Sequence, residues 1–296
     1  MLKHIELSEK IVAYSGGRAI SKATLEKFMI FGKEEWMPQT QSKQRCVCFP
    51  YLRDGEMVNV KYRDGAKNFK LCKDAELIFF GMQTLKDRHS AIITEGEWDA
   101  LSAYEAGFGQ DYALEPDKDG VVVEHPLGMW GVLSVPNGAS KGSMRLDYLD
   151  NCSDWMKEID EFIIATDGDE AGLTLKDELI RRLGVEKCRV VTYPNDVVVP
   201  IEGGKRKCKD LNEVLIYLGK EKVIDIVLNS HAVPVDGIYY LEDIFESMIE
   251  NFRKGIQLAP TTRFKIVDEY FRWLAYADLH RLQFDFETTA LDPQRG

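Results

Sequence analysis

The feature that most constrains the fold is an alternation of short apolar strands with helices between residues 90 and 228. AIIT, GVLSVP, FIIAT and CRVVTYP read as strands. A helix closed by Gly107 follows the first, and DEAGLTLKDELIRRLG, closed by Gly184, follows the third. Residues 210–217 and 220–228 predict two closing helices. Apolar strands alternating with helices indicate an α/β layer built on a largely parallel sheet.

The residues on either side of this layer have a different pattern. Residues 4–30 predict helices, with Ser21 as an N-cap before KATLEKF. RCVCFPYL, MVNVKYR and ELIFF read as β-rich runs, and the Asp54-Gly55 and Asp64-Gly65 pairs between them predict turns. We therefore expect a small antiparallel sheet before the α/β layer. After the layer, residues 241–254 predict an amphipathic helix.

Basic residues are concentrated in that predicted antiparallel sheet. The chain carries a net charge of −11, but residues 43–73 hold eight basic and three acidic residues, which leaves −16 for the rest. A second basic cluster, Lys205, Arg206, Lys207 and Lys209, follows a Gly-Gly pair. A strongly acidic chain does not coat nucleic acid with its whole surface, so these two islands favour local contact with an anion.

Composition and cysteine spacing exclude several classes of protein. Hydrophobic residues make up 45% of the chain, which excludes disorder throughout. No apolar run approaches the roughly 18 residues of a membrane span, and the first residues lack the apolar core of a signal peptide. The six cysteines have no zinc-ribbon spacing, so no zinc site is predicted. We expect a cytoplasmic protein with reduced thiols and no membrane partner.

Two acidic motifs follow predicted strands directly. In EGEWDA, Glu95 comes after AIIT and Asp99 lies one helical turn further on; in DGDEAG, Asp167 and Asp169 come after FIIAT. Because ligands of open α/β sheets gather at the carboxyl ends of strands, these side chains converge if the strands are neighbours. Crowded carboxylates repel one another unless a cation is present, and hard oxygen ligands suit Mg²⁺.

A third motif strengthens this interpretation. KDLNE, at residues 209–213, follows the fourth strand and opens a helix, so Asp210 is either an N-cap or a further carboxylate beside the metal. Each motif alone is common as a turn or a cap. All three together, in this order and at strand ends, are a much more specific signal.

EGEWDA, DGDEAG and KDLNE together resemble the ordered motifs of the Toprim domain of phage replicative primase–helicases and the similar Twinkle-type helicases. SVPNGAS resembles the glycine-containing turn between these motifs, and FPYLRDGEMVNVKYRDGAKNFK resembles the basic subdomain that precedes Toprim. The resemblance covers about residues 10–230. It implies an α/β Toprim fold, with a mostly parallel central sheet flanked by helices. A small basic α+β subdomain would precede that sheet, and a linker helix would follow it.

The resemblance also assigns roles to individual residues. Glu95, Asp167 and Asp169 would be catalytic, and these three with Asp210 would hold Mg²⁺ or Mn²⁺. Asp99 would be a carboxylate that supports them from the helix. Nucleotide phosphates or template DNA would be contacted by six basic residues: Arg45, Lys61, Arg63, Lys67, Lys70 and Lys209.

The domain boundaries implied are 1–86 for the helical and basic β-rich subdomain, 87–230 for Toprim, 231–264 for the linker helix region and 265–296 for an incomplete tail. LEDIFESMIENFRK would be the linker helix that forms homo-oligomers in the family, but no P-loop motif follows it. The tail LHRLQFDFETTALDPQRG instead resembles the first exonuclease motif of family A DNA polymerases, with Asp285 and Glu287 as metal ligands. We expect this tail to have no activity of its own.

The implied function is Mg²⁺-dependent synthesis of short RNA primers from NTPs on single-stranded DNA, alongside a replicative helicase and a DNA polymerase. Priming members of the family usually begin with a zinc ribbon that reads the template, and this sequence has none. A second hypothesis is therefore a non-catalytic module of a helicase that binds single-stranded DNA. A Toprim nuclease or a type IA topoisomerase fits less well, because of the basic subdomain and the length.

Overall fold

The computed structural model describes residues 7–111, 126–137, 146–194, 197–201 and 204–234, with residues 245, 248–250 and 252–253. The chain divides into two compact units, Met1–Val233 and Pro234–Gly296. The helices of the first unit are α1 (Glu9–Gly16), α2 (Lys22–Lys27), α3 (Glu97–Ala106), α4 (Asp147–Asn151), α5 (Ser153–Lys157), α6 (Glu170–Leu183), α7 (Leu211–Leu218) and α8 (Lys220–Leu228). Its strands are β1 (Phe31–Met37), β2 (Ser42–Arg53), β3 (Glu56–Asp64), β4 (Phe69–Leu71), β5 (Ser90–Thr94), β6 (Trp130–Ser134), β7 (Glu161–Ala165), β8 (Cys188–Val190), β9 (Val198–Ile201), β10 (Gly204–Lys207) and β11 (His231–Ala232).

The basic region folds as a four-stranded antiparallel sheet in the order β1-β2-β3-β4. The turn at Asp54-Gly55 suits this hairpin because both residues adopt positive φ, at 50° and 84°. The sequence predicts β2, β3 and both turns. It assigns no structure to β1, whose buried residues do not alternate along the strand.

The predicted strand ELIFF is wrong. Residues 76–80 form no strand, and Phe80 makes only an isolated bridge to Ser134. Ile78, Phe79 and Phe80 are nevertheless fully buried, because this segment runs through the core between the two sheets. A short apolar run fits a buried irregular segment as well as a strand, and periodicity alone does not separate the two.

The second sheet has the order β11-β8-β7-β5-β6. β5 pairs in parallel with β6 and β7, β7 pairs in parallel with β8, and only β11 is antiparallel. The chain leaves β5 towards β6 on one side and leaves β7 towards β8 on the other. Connections that diverge in this way open a crevice at the carboxyl ends of β5 and β7, where α/β proteins bind ligands.

One hydrophobic core joins the basic sheet to the second sheet. Phe49 of β2 lies edge-on to Trp98 of α3, with ring centroids 5.2 Å apart, and Tyr51 contacts Phe80 in the same way. The carboxyl ends of β5 and β7 are therefore held at a fixed position relative to the basic sheet.

In helix α6, only some of the leucine side chains are buried. Leu175 and Leu179 of α6 are fully buried, whereas Leu173 is 47% exposed. All six cysteines are free, and five of them are buried, as expected for small apolar side chains.

Among the described helices, none is long and apolar enough to cross a bilayer. The tail at 265–296, most of the predicted linker helix and Gly138 lie outside the described residues.

Candidate active site at the carboxyl edge of the sheet

The DGD loop is held in place by backbone contacts. Asp169 caps α6 by accepting a hydrogen bond from the backbone N–H of Gly172, 3.1 Å away. A Cβ on Gly172 would lie 2.1 Å from the backbone oxygen of Asp167, so only glycine fits. The backbone N–H of Gly168 also donates to the backbone oxygen of Lys209 at 2.8 Å. These contacts bring the DGDEAG and KDLNE motifs together.

Lys209 bridges the two aspartates of this loop. Its Nζ donates a short hydrogen bond to Asp167 Oδ2 and a 2.8 Å hydrogen bond to Asp169 Oδ2. The sequence prediction gives Lys209 a nucleotide or DNA contact, but in this structure its ammonium group neutralises the predicted metal ligands. One cation thus already lies between Asp167 and Asp169.

The two aspartates respond differently to this shared lysine. The pKa of Asp167 is raised because burial outweighs the hydrogen bond from Lys209. The pKa of the more exposed Asp169 is lowered, chiefly by its hydrogen bond to Lys209. Burial alone would lower the pKa of Lys209, but its bonds to both carboxylates raise it overall, so it stays charged.

Asp210 lies beside this group and caps α7. Its Oδ1 accepts a 2.8 Å hydrogen bond from the backbone N–H of Glu213. Burial, and after it the charge of Glu213, raises the pKa of Asp210 to about 6, and Asp167 contributes in the same direction. Asp210 is therefore an N-cap, as one interpretation predicts, and its charge interacts with that of Asp167; its role beside a metal ion stays a prediction.

Asp99 belongs to the same electrostatic cluster. Burial raises its pKa well above the usual range, and the charges of Asp210 and Asp167 add to that effect. Its Oδ1 accepts a 3.0 Å hydrogen bond from the backbone N–H of Asn212. Arg18 donates a 2.8 Å hydrogen bond to Asn212 Oδ1. Sequence reasoning assigns no role to Arg18, because no local pattern marks an arginine whose partner, Asn212, lies 194 residues further on.

Glu95 follows β5 at the same edge of the sheet. Thr94 is opposite Ala165 in the parallel register, so Glu95 and Thr166 each lie one residue beyond the paired strands. Thr94 Oγ1 donates 3.0 Å hydrogen bonds to the backbone oxygens of Gly96 and Leu133, which fixes the start of the EGEWDA loop. The register thus brings Glu95 to the carboxyl edge that also carries the DGD loop.

Lys61 does not lie on an open basic surface. Its Nζ is 2.7 Å from Glu97 Oε1, and the side chains are 7% and 1% exposed. Tyr51 Oη donates a 2.6 Å hydrogen bond to the same oxygen. We call Lys61 and Glu97 the junction pair, because it joins β3 of the basic sheet to α3. A phosphate contact by Lys61 would require this pair to break.

The remaining predicted basic contacts lie on the basic sheet, away from the acidic loop. Arg45 is exposed, with Nε 3.5 Å from Glu34 Oε1. Arg63 is half-buried on β3, and Lys67 is exposed in the β3–β4 turn. Lys70 Nζ donates a 3.1 Å hydrogen bond to Glu35. Their contact with nucleic acid stays a prediction.

The donor set fits a hard divalent cation in its chemistry. Asp167, Asp169 and Asp210 offer oxygen ligands, and the raised pKa values of Asp167 and Asp210 reflect burial and negative charges that a cation would compensate. Within the described residues, however, no three His, Cys, Asp or Glu side chains are close enough to form a metal site. An ion bound by Asp167 and Asp169 would take the place that the Lys209 ammonium group has in this structure.

Two solved structures that resemble this chain contain primase domains. A chain in the structure of bacteriophage T7 lagging-strand DNA polymerase interacting with primase domains has a TM-score of 0.53 and 23% identity, over 74% of this chain and 91% of that one. The primase fragment of the T7 primase–helicase gives 0.51 and 23%, over 72% of each. The fold is that of a Toprim-containing primase domain.

Three curated proteins are similar to the chain in sequence, although no protein-family model matches it. A Twinkle homolog of Arabidopsis thaliana chloroplasts and mitochondria is 28% identical over 90% of this chain, and an Arabidopsis thaliana primase homolog is 31% identical over 77%. The DNA helicase/primase of Enterobacteria phage T3 is 26% identical over 75%. The chain is similar in sequence to these Twinkle, primase and phage helicase/primase proteins. It spans 35%, 61% and 32% of their respective lengths.

Proposed function

We propose that this chain is the primase module of a phage-type primase–helicase and joins NTPs into short RNA primers on single-stranded DNA. The observation that carries the proposal is the neighbourhood of Asp167, Asp169 and Asp210 after β7, in a unit that also contains the basic sheet. Nucleotidyl transfer needs both features, because negative charge develops on phosphate oxygens that only cations stabilise.

Asp167 and Asp169 would hold Mg²⁺ or Mn²⁺, with support from Asp210 and from Glu95 across the crevice. The bound ion would supply Lewis-acid stabilisation of the phosphate oxygens and of the leaving pyrophosphate. Asp99 holds the start of α7 through Asn212 and so keeps Asp210 beside the DGD loop. Glu95 is the carboxylate that we assign to accept the proton of the primer 3′-hydroxyl.

Lys209 would have two positions in this scheme. Without a metal ion it neutralises Asp167 and Asp169, as the structure has it. If Asp167 and Asp169 held a divalent ion, the Lys209 ammonium group would be free of both carboxylates. It would then be available for the phosphates of a nucleoside triphosphate, the contact expected from the sequence.

A second candidate function is a non-catalytic module that binds single-stranded DNA within a replicative helicase. The contact of Lys209 with both aspartates favours it, since the acids have a counter-ion without metal. We propose a replicative helicase and a DNA polymerase as partners in either case. Oligomers would form through the predicted linker helix at 241–254.

Primer synthesis separates the two candidates. The purified chain is incubated with labelled NTPs, Mg²⁺ or Mn²⁺ and a set of single-stranded templates. Asp167→Asn should abolish product while leaving the fold intact. The control is Asp177→Asn, which changes an exposed aspartate on α6 whose partner is the neighbouring Lys176. Equal product from wild type and Asp167→Asn would refute the assigned site, and no product from wild type would favour the binding module.

A further inference from the structure

Arg18, in the turn between α1 and α2, contacts a motif that lies far along the chain. Its Nη1 donates a 2.8 Å hydrogen bond to Asn212 Oδ1, and its backbone oxygen accepts a 3.0 Å hydrogen bond from Asn212 Nδ2. Asn212 is the fourth residue of KDLNE and is 3% exposed. Two hydrogen bonds therefore join the N-terminal helices to the loop that carries Lys209 and Asp210.

Aromatic rings hold the guanidinium group of Arg18 in place. Its Cζ is 5.2 Å from the centroid of the Tyr14 ring and 5.0 Å from that of the Trp98 ring. Its Nη2 also donates a 3.1 Å hydrogen bond to Tyr14 Oη. Trp98 belongs to α3 and is almost fully buried, so its ring is fixed by the packing of the core. Because these contacts pre-organise the guanidinium group, little side-chain entropy is lost when it bonds to Asn212.

The side-chain amide of Asn212 depends on this arginine. Its Nδ2 donates to the backbone oxygen of Arg18 and, at 3.0 Å, to Ser102 Oγ, so both of its N–H groups are used. Ser102 Oγ in turn donates a 2.7 Å hydrogen bond to the backbone oxygen of Trp98. The Arg18 guanidinium group is the donor to Asn212 Oδ1. Without it this buried oxygen would be left unpaired, which is costly unless the loop shifts.

Backbone contacts continue from Asn212 to the acidic cluster. The backbone N–H of Asn212 donates a 3.0 Å hydrogen bond to Asp99 Oδ1. Three residues earlier, the backbone oxygen of Lys209 accepts a 2.8 Å hydrogen bond from the backbone N–H of Gly168. A displacement of Asn212 would therefore move Lys209 and Asp210 relative to the DGD loop.

We propose that Arg18 is a positioning residue of the candidate active site, which through Asn212 holds Lys209 and Asp210 beside the DGD loop. In the described part of the chain, its guanidinium group donates hydrogen bonds to Tyr14 and Asn212 and to none of the predicted metal ligands. The inference rests on the proposed function in taking the acidic cluster as the site. The positioning itself is measurable without metal or substrate.

Hydrogen–deuterium exchange of the full chain, resolved by mass spectrometry, measures the positioning. Arg18→Met keeps the aliphatic stem against Trp98 and removes the donor to Asn212. The backbone N–H groups of Asn212 and Glu213 should exchange about tenfold faster, the factor expected when a hydrogen bond from a charged group is lost. Those of β5 should exchange as in wild type, because the core of the sheet is unchanged.

The matched control is Arg88→Met. Like Arg18, Arg88 donates several hydrogen bonds, and its acceptors are the backbone oxygens of Thr84 and Gly128 and the carboxylate of Asp111. Arg88 lies two positions before β5, at the end of the sheet opposite the acidic cluster. Its loss should leave exchange in the KDLNE loop unchanged. Equal acceleration in both variants would show a general loss of stability and would overturn the proposal.

A double variant tests whether Arg18 acts through Asn212. Asn212→Ala removes the side-chain link but keeps the backbone N–H that bonds to Asp99. Adding Arg18→Met to Asn212→Ala should give no further acceleration at Glu213, because the two changes break the same link. A second, fully additive acceleration would show that Arg18 acts by another route, and that result would also overturn the proposal.

Binding of Mn²⁺, followed by the electron paramagnetic resonance signal of the free ion, keeps this result separate from the proposed function. Arg18→Met should bind Mn²⁺ several-fold more weakly than wild type and Arg88→Met. If wild type binds no Mn²⁺ but Arg18→Met still accelerates exchange in the KDLNE loop, the metal site is refuted and the positioning stands. If wild type and Arg18→Met bind Mn²⁺ equally and exchange equally, the metal site stands and the positioning is refuted.

Discussion

Two lysine–carboxylate contacts near the same end of the sheet differ in what surrounds them. The junction pair, Lys61 and Glu97, is almost fully enclosed and also receives the hydroxyl of Tyr51. The second contact, which we call the edge contact, joins Lys209 to Asp167 and Asp169, and its side chains are 28%, 17% and 48% exposed. Enclosure makes the junction pair a structural link, whereas partial exposure leaves the edge contact open to exchange with a ligand.

Tyr51 reinforces the difference. Burial, together with the charge of Glu97, raises the pKa of Tyr51 well above its usual range, so its hydroxyl stays protonated and donates to Glu97. Glu97 Oε1 therefore accepts hydrogen bonds from two buried donors, the Lys61 ammonium group and the Tyr51 hydroxyl. The edge contact has one ammonium group shared between two acids, and all three side chains are partly exposed.

Breaking the junction pair should give the largest change in stability. Glu97→Gln leaves the Lys61 ammonium buried without a counter-charge, so we expect a loss of about 3–5 kcal/mol in the free energy of unfolding. Urea denaturation measures it. The control Glu26→Gln breaks an exposed pair on α2 and should cost no more than about 0.5 kcal/mol.

A double variant sharpens this test. Lys61→Met combined with Glu97→Gln removes both charges, so we expect it to recover more than half of the lost stability. Equal losses for Glu97→Gln and Glu26→Gln would show that enclosure does not distinguish the junction pair.

Breaking the edge contact should have an intermediate effect that depends on metal. Lys209→Met leaves Asp167 and Asp169 facing each other without a cation, and we expect a loss of about 1–2 kcal/mol in buffer with chelator. Mg²⁺ should restore most of that stability, because it binds the freed carboxylates. Thermal unfolding with and without Mg²⁺ measures this, and a variant no more responsive to Mg²⁺ than wild type would contradict it.

The smallest expected effect concerns a surface carboxylate of β1. The hydrogen bonds from Lys33 and then Lys70 lower the pKa of Glu35 from 4.5 to about 2. A lowered pKa means that the stabilisation is complete above about pH 4.5 and is lost as the pH falls towards 2. Because the site is close to solvent, we expect less than about 1 kcal/mol.

Urea denaturation of Glu35→Gln between pH 2 and pH 6 measures this contribution. The difference from wild type should shrink as the pH falls. The control is Glu34→Gln, which changes the carboxylate at the preceding position of β1. A difference independent of pH would show that the carboxylate charge of Glu35 is not the cause.

The position of this site could be predicted from the sequence because its acidic motifs directly follow two strands. Each strand is recognisable from a short apolar run of neighbouring residues. AIIT and FIIAT became β5 and β7, and their parallel pairing put Glu95 and the DGD loop at one edge. Ser21 and Asp210 are the N-caps of α2 and α7, as the sequence predicts. The sequence-based prediction missed β1 and was wrong at ELIFF. In both segments burial is set by the neighbouring sheet and not by the period of the segment itself.

The sequence by itself determined the alternation of strands and helices, the basic character of residues 43–73 and the acids at strand ends, because each depends on residues close together in the chain. Only the tertiary structure decided which lysine meets which carboxylate. Lys61 and Glu97 are separated by 36 positions, and Lys209 and Asp167 by 42. Burial then decided what each contact can do, since the energy of a charge depends on the water that surrounding elements exclude from it.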